Sequence, residues 1–132
     1  MPDRATRFQR MAADYAAAWS SHDAASVAAF FAPQGAISVN DGPFTTGRAA
    51  IERDVVGGFY TDFPDLVVSC DLARLAGRRG LFMWTLEGTH AQTGNKVIAG
   101  GWESWELDDD MLIRTSNGYF DAADYQAQVE GR

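Results

Sequence analysis

Two periods of apolar residues divide the chain. Over residues 6–20, Phe8, Met11, Ala12, Tyr15 and Trp19 recur at i, i+3, i+4, i+7 and i+11, one stripe of a 3.6-residue period that predicts an amphipathic helix. The stripe breaks at Ser20-Ser21-His22. Asp23 has the short side-chain acceptor that caps a second, short helix, expected to turn Val27, Phe30 and Phe31 inward and to end at Pro33 and Gly35. Residues 36–39 suit a brief strand before a turn at Asn40-Asp41-Gly42-Pro43. Thr46 stands where it can cap a third helix over 47–61, with Ile51, Val55 and Phe59 at i, i+4 and i+8.

From residue 65 the period falls to two. Segments Leu66–Leu75, Gly80–His90, Lys96–Leu107 and Met111–Phe120 read as strands, joined by Ala76-Gly77-Arg78, Thr93-Gly94-Asn95 and Asp108-Asp109-Asp110. Connections this short imply antiparallel neighbours and a meander. A last helical turn over 121–128 starts at Asp121. Three helices ahead of such strands predict an α+β fold whose sheet covers its apolar face with those helices. Gly100-Gly101 falls inside the third long strand. Glycine weakens a flat strand, so a bend or bulge there would let the sheet curl. The expected architecture is a cone-shaped curved antiparallel sheet packed against three helices.

At 132 residues, with no repeat or linker, the chain is expected to form a single domain over 1–132. A hydrophobic share of 46% and a charged share of 22% fit a folded globule with a core and room for a modest cavity. Eighteen acidic against eleven basic residues give a net charge of −7, which repels phosphate backbones and anionic lipid and argues against nucleic-acid or membrane partners. Cys70 stands alone and the two histidines are far apart, so neither a disulfide nor a metal is expected. The polar start of the chain and the lack of any apolar run of ~18 residues lead to the expectation of a cytoplasmic protein.

Glu103 is the most informative candidate. It shares a strand face with Val97, Ala99, Gly101, Trp105 and Leu107. A carboxyl among such neighbours has a raised pKa and can donate a proton or a hydrogen bond near neutral pH. A slip of the alternation at Gly100-Gly101 would leave it solvated instead. Tyr15, on the buried stripe of the first helix, could polarise a carbonyl beside Glu103, or simply be core with its hydroxyl satisfied at the edge. His90 continues the alternation Phe82, Trp84, Leu86, Gly88 and would carry a proton at the mouth of the cone; capping a strand end in solvent is the alternative. His22 reads as a loop residue. Trp19, Phe59, Phe82, Trp84, Leu86 and Phe120 are the expected apolar wall for a ligand, with Ser116 as a hydrogen-bonding group.

Several phrases carry a resemblance: Tyr15–Trp19 (YAAAW), His22-Asp23, Phe30-Phe31-Ala32-Pro33, Gly47–Ile51 (GRAAI), Phe63-Pro64-Asp65-Leu66, Trp84–His90 (WTLEGTH) and Tyr119-Phe120-Asp121. In this order the chain resembles the nuclear transport factor 2-like superfamily, and within it the SnoaL-like polyketide cyclases and the steroid Δ-isomerase-like proteins. The resemblance places Glu103 about where steroid isomerases carry the carboxylic acid of their oxyanion hole, and Tyr15 at their oxyanion-hole tyrosine. It also exposes two departures. The isomerases' general-base aspartate aligns with Val39, and the cyclases' aspartate in the final strand aligns with Gly118. Asn40 and Asp41 are neighbours of the first position but would each need a register shift to reach the cavity, while Asn117 and Ser116 can hydrogen-bond a substrate but cannot act as a carboxylate. The implied function is cofactor-independent acid–base chemistry of the isomerase, cyclase, dehydratase or hydrolase type on a hydrophobic carbonyl or ring compound. A non-catalytic ligand-binding or dimerisation module that has lost the family's acids is the alternative. Trp102 alternates opposite to Glu103, with Ile98, Ser104 and Glu106. A large aromatic on the outer face of the sheet predicts a homodimer through that face, as the resemblance also implies.

Overall fold

A computed structural model describes residues 2–132. Helix α1 (Arg4–Ser20) is capped by Asp3, whose side chain accepts from Thr6 N at 2.8 Å, and it buries Phe8, Ala12, Tyr15, Ala16 and Trp19 on the expected stripe. Asp23 caps α2 (Ala24–Ala28) through Ala25 N. That helix is shorter than the sequence suggests. Phe31 begins strand β1 (Phe31–Val39) instead of closing the helix, and Pro33 and Gly35 lie within the strand. They are tolerated there because pairing is interrupted: the register jumps from Phe31↔Ile113 to Ala36↔Thr115, so proline's missing N–H breaks no ladder bond.

Thr46 is likewise a strand residue rather than a helix cap. It belongs to β2 (Thr45–Thr46), opposite Ala36, and Gly47, at φ 92°, leads into the helix without a side-chain cap. The expected third helix is one continuous run of α3 (Arg48–Ala50), a π-helical stretch (Ile51–Val56) and α4 (Gly57–Asp62). The wider π turn turns both Ile51 and Val56 into the core.

Strands β3 (Val67–Ala76), β4 (Arg79–Thr89), β5 (Lys96–Leu107) and β6 (Ile113–Phe120) form the antiparallel meander read from the sequence, and α5 (Ala122–Glu130) starts from an Asp121 cap. The sheet as a whole is open and mixed, in the order β2-β1-β6-β5-β4-β3, because β1 lies parallel to β6. This corrects the expectation of a purely antiparallel sheet. Short turns report only sequence neighbours, whereas β1 and β6 are brought together by packing across the whole chain.

Curvature comes from other places than expected. The β4–β5 ladder runs unbroken from Arg79↔Glu106 to Thr89↔Lys96, so Gly100-Gly101 makes no bulge. Register shifts occur instead between Cys70 and Leu72, between Glu106 and Leu107, and at the start of β1. Each extra residue bends its strand and increases the twist. Gly101 has a different reason to be glycine: a Cβ there would lie 2.5 Å from Trp84 Cζ2 and 2.3 Å from Tyr119 O.

The exposed edges are satisfied by helices. Ser20 Oγ accepts from Val68 N and donates to Val68 O, and Gln9 Nε2 donates to Ala73 O, so α1 covers the edge strand β3. Past the end of β6, Gln128 of α5 completes the β5 ladder at Ile98 N and O. The helices close the concave face over Phe8, Tyr15, Phe31, Phe82 and Trp105, all fully buried or nearly so. Among the described residues no helix is long and apolar enough to cross a membrane.

Candidate functional site

Because the β5 alternation holds through the glycines, Glu103 faces inward and is only 6% exposed. Register places Phe82 of β4 and Gly118 of β6 beside it, and Ser116 opposite Trp105. Three donors then converge on a single carboxyl oxygen. Oε1 accepts from Tyr15 Oη at 3.0 Å, from Trp105 Nε1 at 3.1 Å and from Ser116 Oγ at 2.7 Å. Tyr15 reaches it from α1, its ring held edge-on by Phe30, Phe82 and Trp105 at 5.1–5.4 Å.

Burial pushes the Glu103 carboxyl above the usual glutamate range, and the donors from Ser116, Trp105 and Tyr15 pull part of the way back. Tyr15 is raised well above an ordinary phenol, first by burial and then by the charge of Glu103. The second oxygen, Oε2, receives no hydrogen bond from the protein. No fully buried side-chain oxygen among the described residues lacks a partner, so Oε2 is not fully enclosed, and Glu103 forms part of a cavity wall.

That cavity has a volume of about 60 Å³. Trp19, Phe59, Phe82, Trp84, Leu86 and Phe120, the apolar wall expected from the sequence, all line it. Ile37, Val39, Val55, Val68 and Gly118 complete it. The signals for these were present but short. Ile37 and Val39 alternate in a four-residue apolar stretch, Val55 follows Ile51 at i+4, and Val68 sits on the inward face of β3. Only packing of β1 against β6 brings the first pair to the same place as the meander.

The other candidates lie elsewhere. Tyr15 and Ser116 are behind Glu103 rather than in the cavity wall, each donating to Oε1. His90 follows the end of β4, its Nδ1 3.3 Å from Thr93 Oγ1 and its ring edge-on to Phe63. It is outside the cavity wall, because the inward alternation ends one residue short of the hairpin. His22, at φ 62°, donates from Nε2 to Leu66 O and stacks on Tyr60. Asn40 and Asp41 accept from Phe120 N and Tyr119 Oη, which holds them at the strand ends.

No curated protein matches the chain by sequence. The SnoaL-like domain family matches residues 12–115. The chain belongs to the SnoaL-like family. Solved structures agree with it in fold. A candidate polyketide cyclase of Xanthomonas campestris pv. campestris is 20% identical, with a TM-score of 0.85 over 96% of this chain and 99% of that one. A hypothetical protein of Catenulispora acidiphila with a ketosteroid isomerase-like fold, solved in complex with trimethylamine, is 18% identical with a TM-score of 0.81 over 89% of each chain. A candidate SnoaL-like polyketide cyclase of Jannaschia sp. CCS1 is 12% identical, at 0.79 over 100% and 99%. In this SnoaL-like cone Val39 and Gly118, expected from the sequence to stand where the resembling families carry acids, both line the cavity. Glu103 is therefore its one carboxyl among the described residues.

Proposed function

We propose that this SnoaL-like protein binds a small hydrophobic carbonyl- or ring-bearing compound in the cavity and acts on it as a cofactor-independent acid. The observation that carries the reading is a single carboxyl in an otherwise apolar wall, with one oxygen free of protein partners. Protonated Oε2 would donate to a substrate oxygen as negative charge develops on it, in a dry site where such a contact counts for more than in water. A carboxyl that gives this proton ends unchanged when it takes one back, from the attacking hydroxyl in a cyclisation, or from the carbon next to the carbonyl in a dehydration, where the given proton leaves with the departing hydroxyl as water. Cyclisation and dehydration therefore fit a site with one acid better than a reaction needing a separate base. The polyketide-cyclase neighbours support a ligand of this kind, and the trimethylamine bound by another neighbour supports a small organic molecule in this fold.

A second reading is favoured by Val39 and Gly118: a ligand-binding module without turnover. A thermal-shift titration with mono- and bicyclic ketones and lactones, repeated on Glu103→Gln, separates the two. Stabilisation that changes in the variant, followed by loss of turnover of the same compound, supports the acid. Stabilisation that ignores the variant supports the module, and no stabilisation by any of these compounds would overturn the carbonyl ligand.

The outer face of the sheet supports a homodimer. Trp102 is 43% exposed and lies against Tyr119, with Met83 beside it and Ile98 and Val67 exposed further along the same face.

A further inference from the structure

The three hydrogen bonds to Glu103 are one-sided, and that asymmetry has a chemical consequence. Facing the carboxyl are Tyr15 from α1, Phe82 from β4, Ser116 and Gly118 from β6, and Trp105 on its own strand. Tyr15 is the one titratable group among them, and no charged side chain is present in the set. Of the three donors, the hydroxyls of Tyr15 and Ser116 can rotate to donate or accept, but an indole N–H can only donate. A proton on Oε1 would use one of that oxygen's two lone-pair positions and leave Trp105 Nε1, at 3.1 Å, competing with the other donors for the one that remains, whereas a proton on Oε2 displaces none of them.

We infer that Trp105, Ser116 and Tyr15 are positioning residues: by converging on Oε1 they fix the proton of Glu103 on Oε2, the oxygen left free of protein partners on this residue of the cavity wall. The inference rests on the reading of Glu103 as the acid of this site, and it assigns Tyr15 and Ser116 a task behind the carboxyl rather than against the substrate. Trp105 sits two residues along the same strand face, so its indole and the carboxyl are held by one piece of backbone. Ser116 comes from the adjacent strand and Tyr15 from the helix layer. The carboxyl plane is thus fixed from three directions before any ligand arrives.

The test reads the carboxyl itself. Glu103 is followed by ¹³C NMR of carboxyl-labelled glutamate and by the infrared C=O stretch of its protonated form, both identified by their loss in Glu103→Gln. A hydrogen bond to a charged group is commonly strong enough that removing one donor moves a titration midpoint by about one pH unit. Ser116→Ala and Tyr15→Phe should each raise the Glu103 midpoint by about that amount and move its C=O stretch to higher frequency. Ser116→Thr should restore both. Ser38→Ala, which removes another buried serine whose hydroxyl donates to Gly42 O, should leave both unmoved. Folded Ser116→Ala and Tyr15→Phe proteins with the wild-type midpoint and band would overturn the inference. Cyclohexanone added to the wild type separates this from failure of the functional reading. Variant shifts together with a Glu103 band that ignores the ketone uphold the positioning residues and overturn the carbonyl substrate.

Discussion

Glu103 sits buried with its charge opposed by desolvation, and this sets a sign for the pH dependence of stability. Its folded pKa lies above the ordinary value of 4.5, so the native state holds a proton that the unfolded chain has already released. Between 4.5 and the raised midpoint the native state binds more protons, and stability falls as pH rises. The stabilisation is complete below 4.5 and lost once pH passes the folded midpoint. Glutamine keeps an oxygen for the three donors and presents an N–H₂ where Oε2 stands, without a charge to bury. Urea denaturation of wild type and Glu103→Gln across this range should show the variant gaining on the wild type as pH rises. Parallel curves would mean that Glu103 does not titrate differently in the two states. At this scale the sequence was informative: strand alternation alone put Glu103 among apolar residues. It could not say that Tyr15 and Ser116 would both donate to that residue, since those contacts join α1, β5 and β6.

Among the elements, β5 shows how a glycine can be required by a neighbour's side chain rather than by its own backbone. Gly100 and Gly101 are adjacent and face opposite sides. A Cβ on Gly100 finds Trp84 O at 3.7 Å, an ordinary contact, while one on Gly101 collides with the Trp84 indole and with Tyr119 O. Gly101→Ala should cost about 1–3 kcal/mol through overpacking and displace Trp84 from the cavity wall. Gly100→Ala should cost less than about 1 kcal/mol, or stabilise the strand by reducing unfolded-chain entropy. Denaturant midpoints and tryptophan fluorescence check the pair; equal effects at both positions would refute the account. The sequence expectation of a bulge at this pair failed because a glycine pattern does not reveal whether the missing side chain relieves the backbone or makes room for an indole. The length of α2 failed for a related reason. Phe30-Phe31 continues the helical apolar pattern, but pairing of Phe31 with Ile113 on β6 draws the second phenylalanine into the sheet.

On the scale of the whole molecule, the curved sheet has two apolar faces of different kinds. The concave face is closed by helices and encloses the cavity, while the convex face exposes Trp102 and its neighbours. Large apolar side chains exposed on one face in this way mark a surface that a partner can cover. Trp102→Glu is expected to convert the proposed dimer to monomers in sedimentation while leaving Glu103 and ligand stabilisation intact, because the two side chains leave β5 on opposite faces. An unchanged sedimentation coefficient would remove the outer face as the interface. Val39→Phe makes the complementary change inside. Filling the cavity from β1 should abolish stabilisation by ketones at little cost in folding stability, as read by thermal shift with and without ligand. Retained stabilisation would place the ligand elsewhere.

The sequence by itself determined the class of fold, most of the strand boundaries and six of the apolar residues that line the cavity. Those properties follow from local periodicity, which each element expresses before it meets another. The parallel β1–β6 pair, the π turn over Ile51–Val56 and the sites of curvature were decided only by the tertiary structure. So were the retreat of His90 from the cavity and the gathering of Tyr15, Trp105 and Ser116 on one oxygen. All of these depend on which distant surfaces pack together, and packing distances are not periodic in the chain.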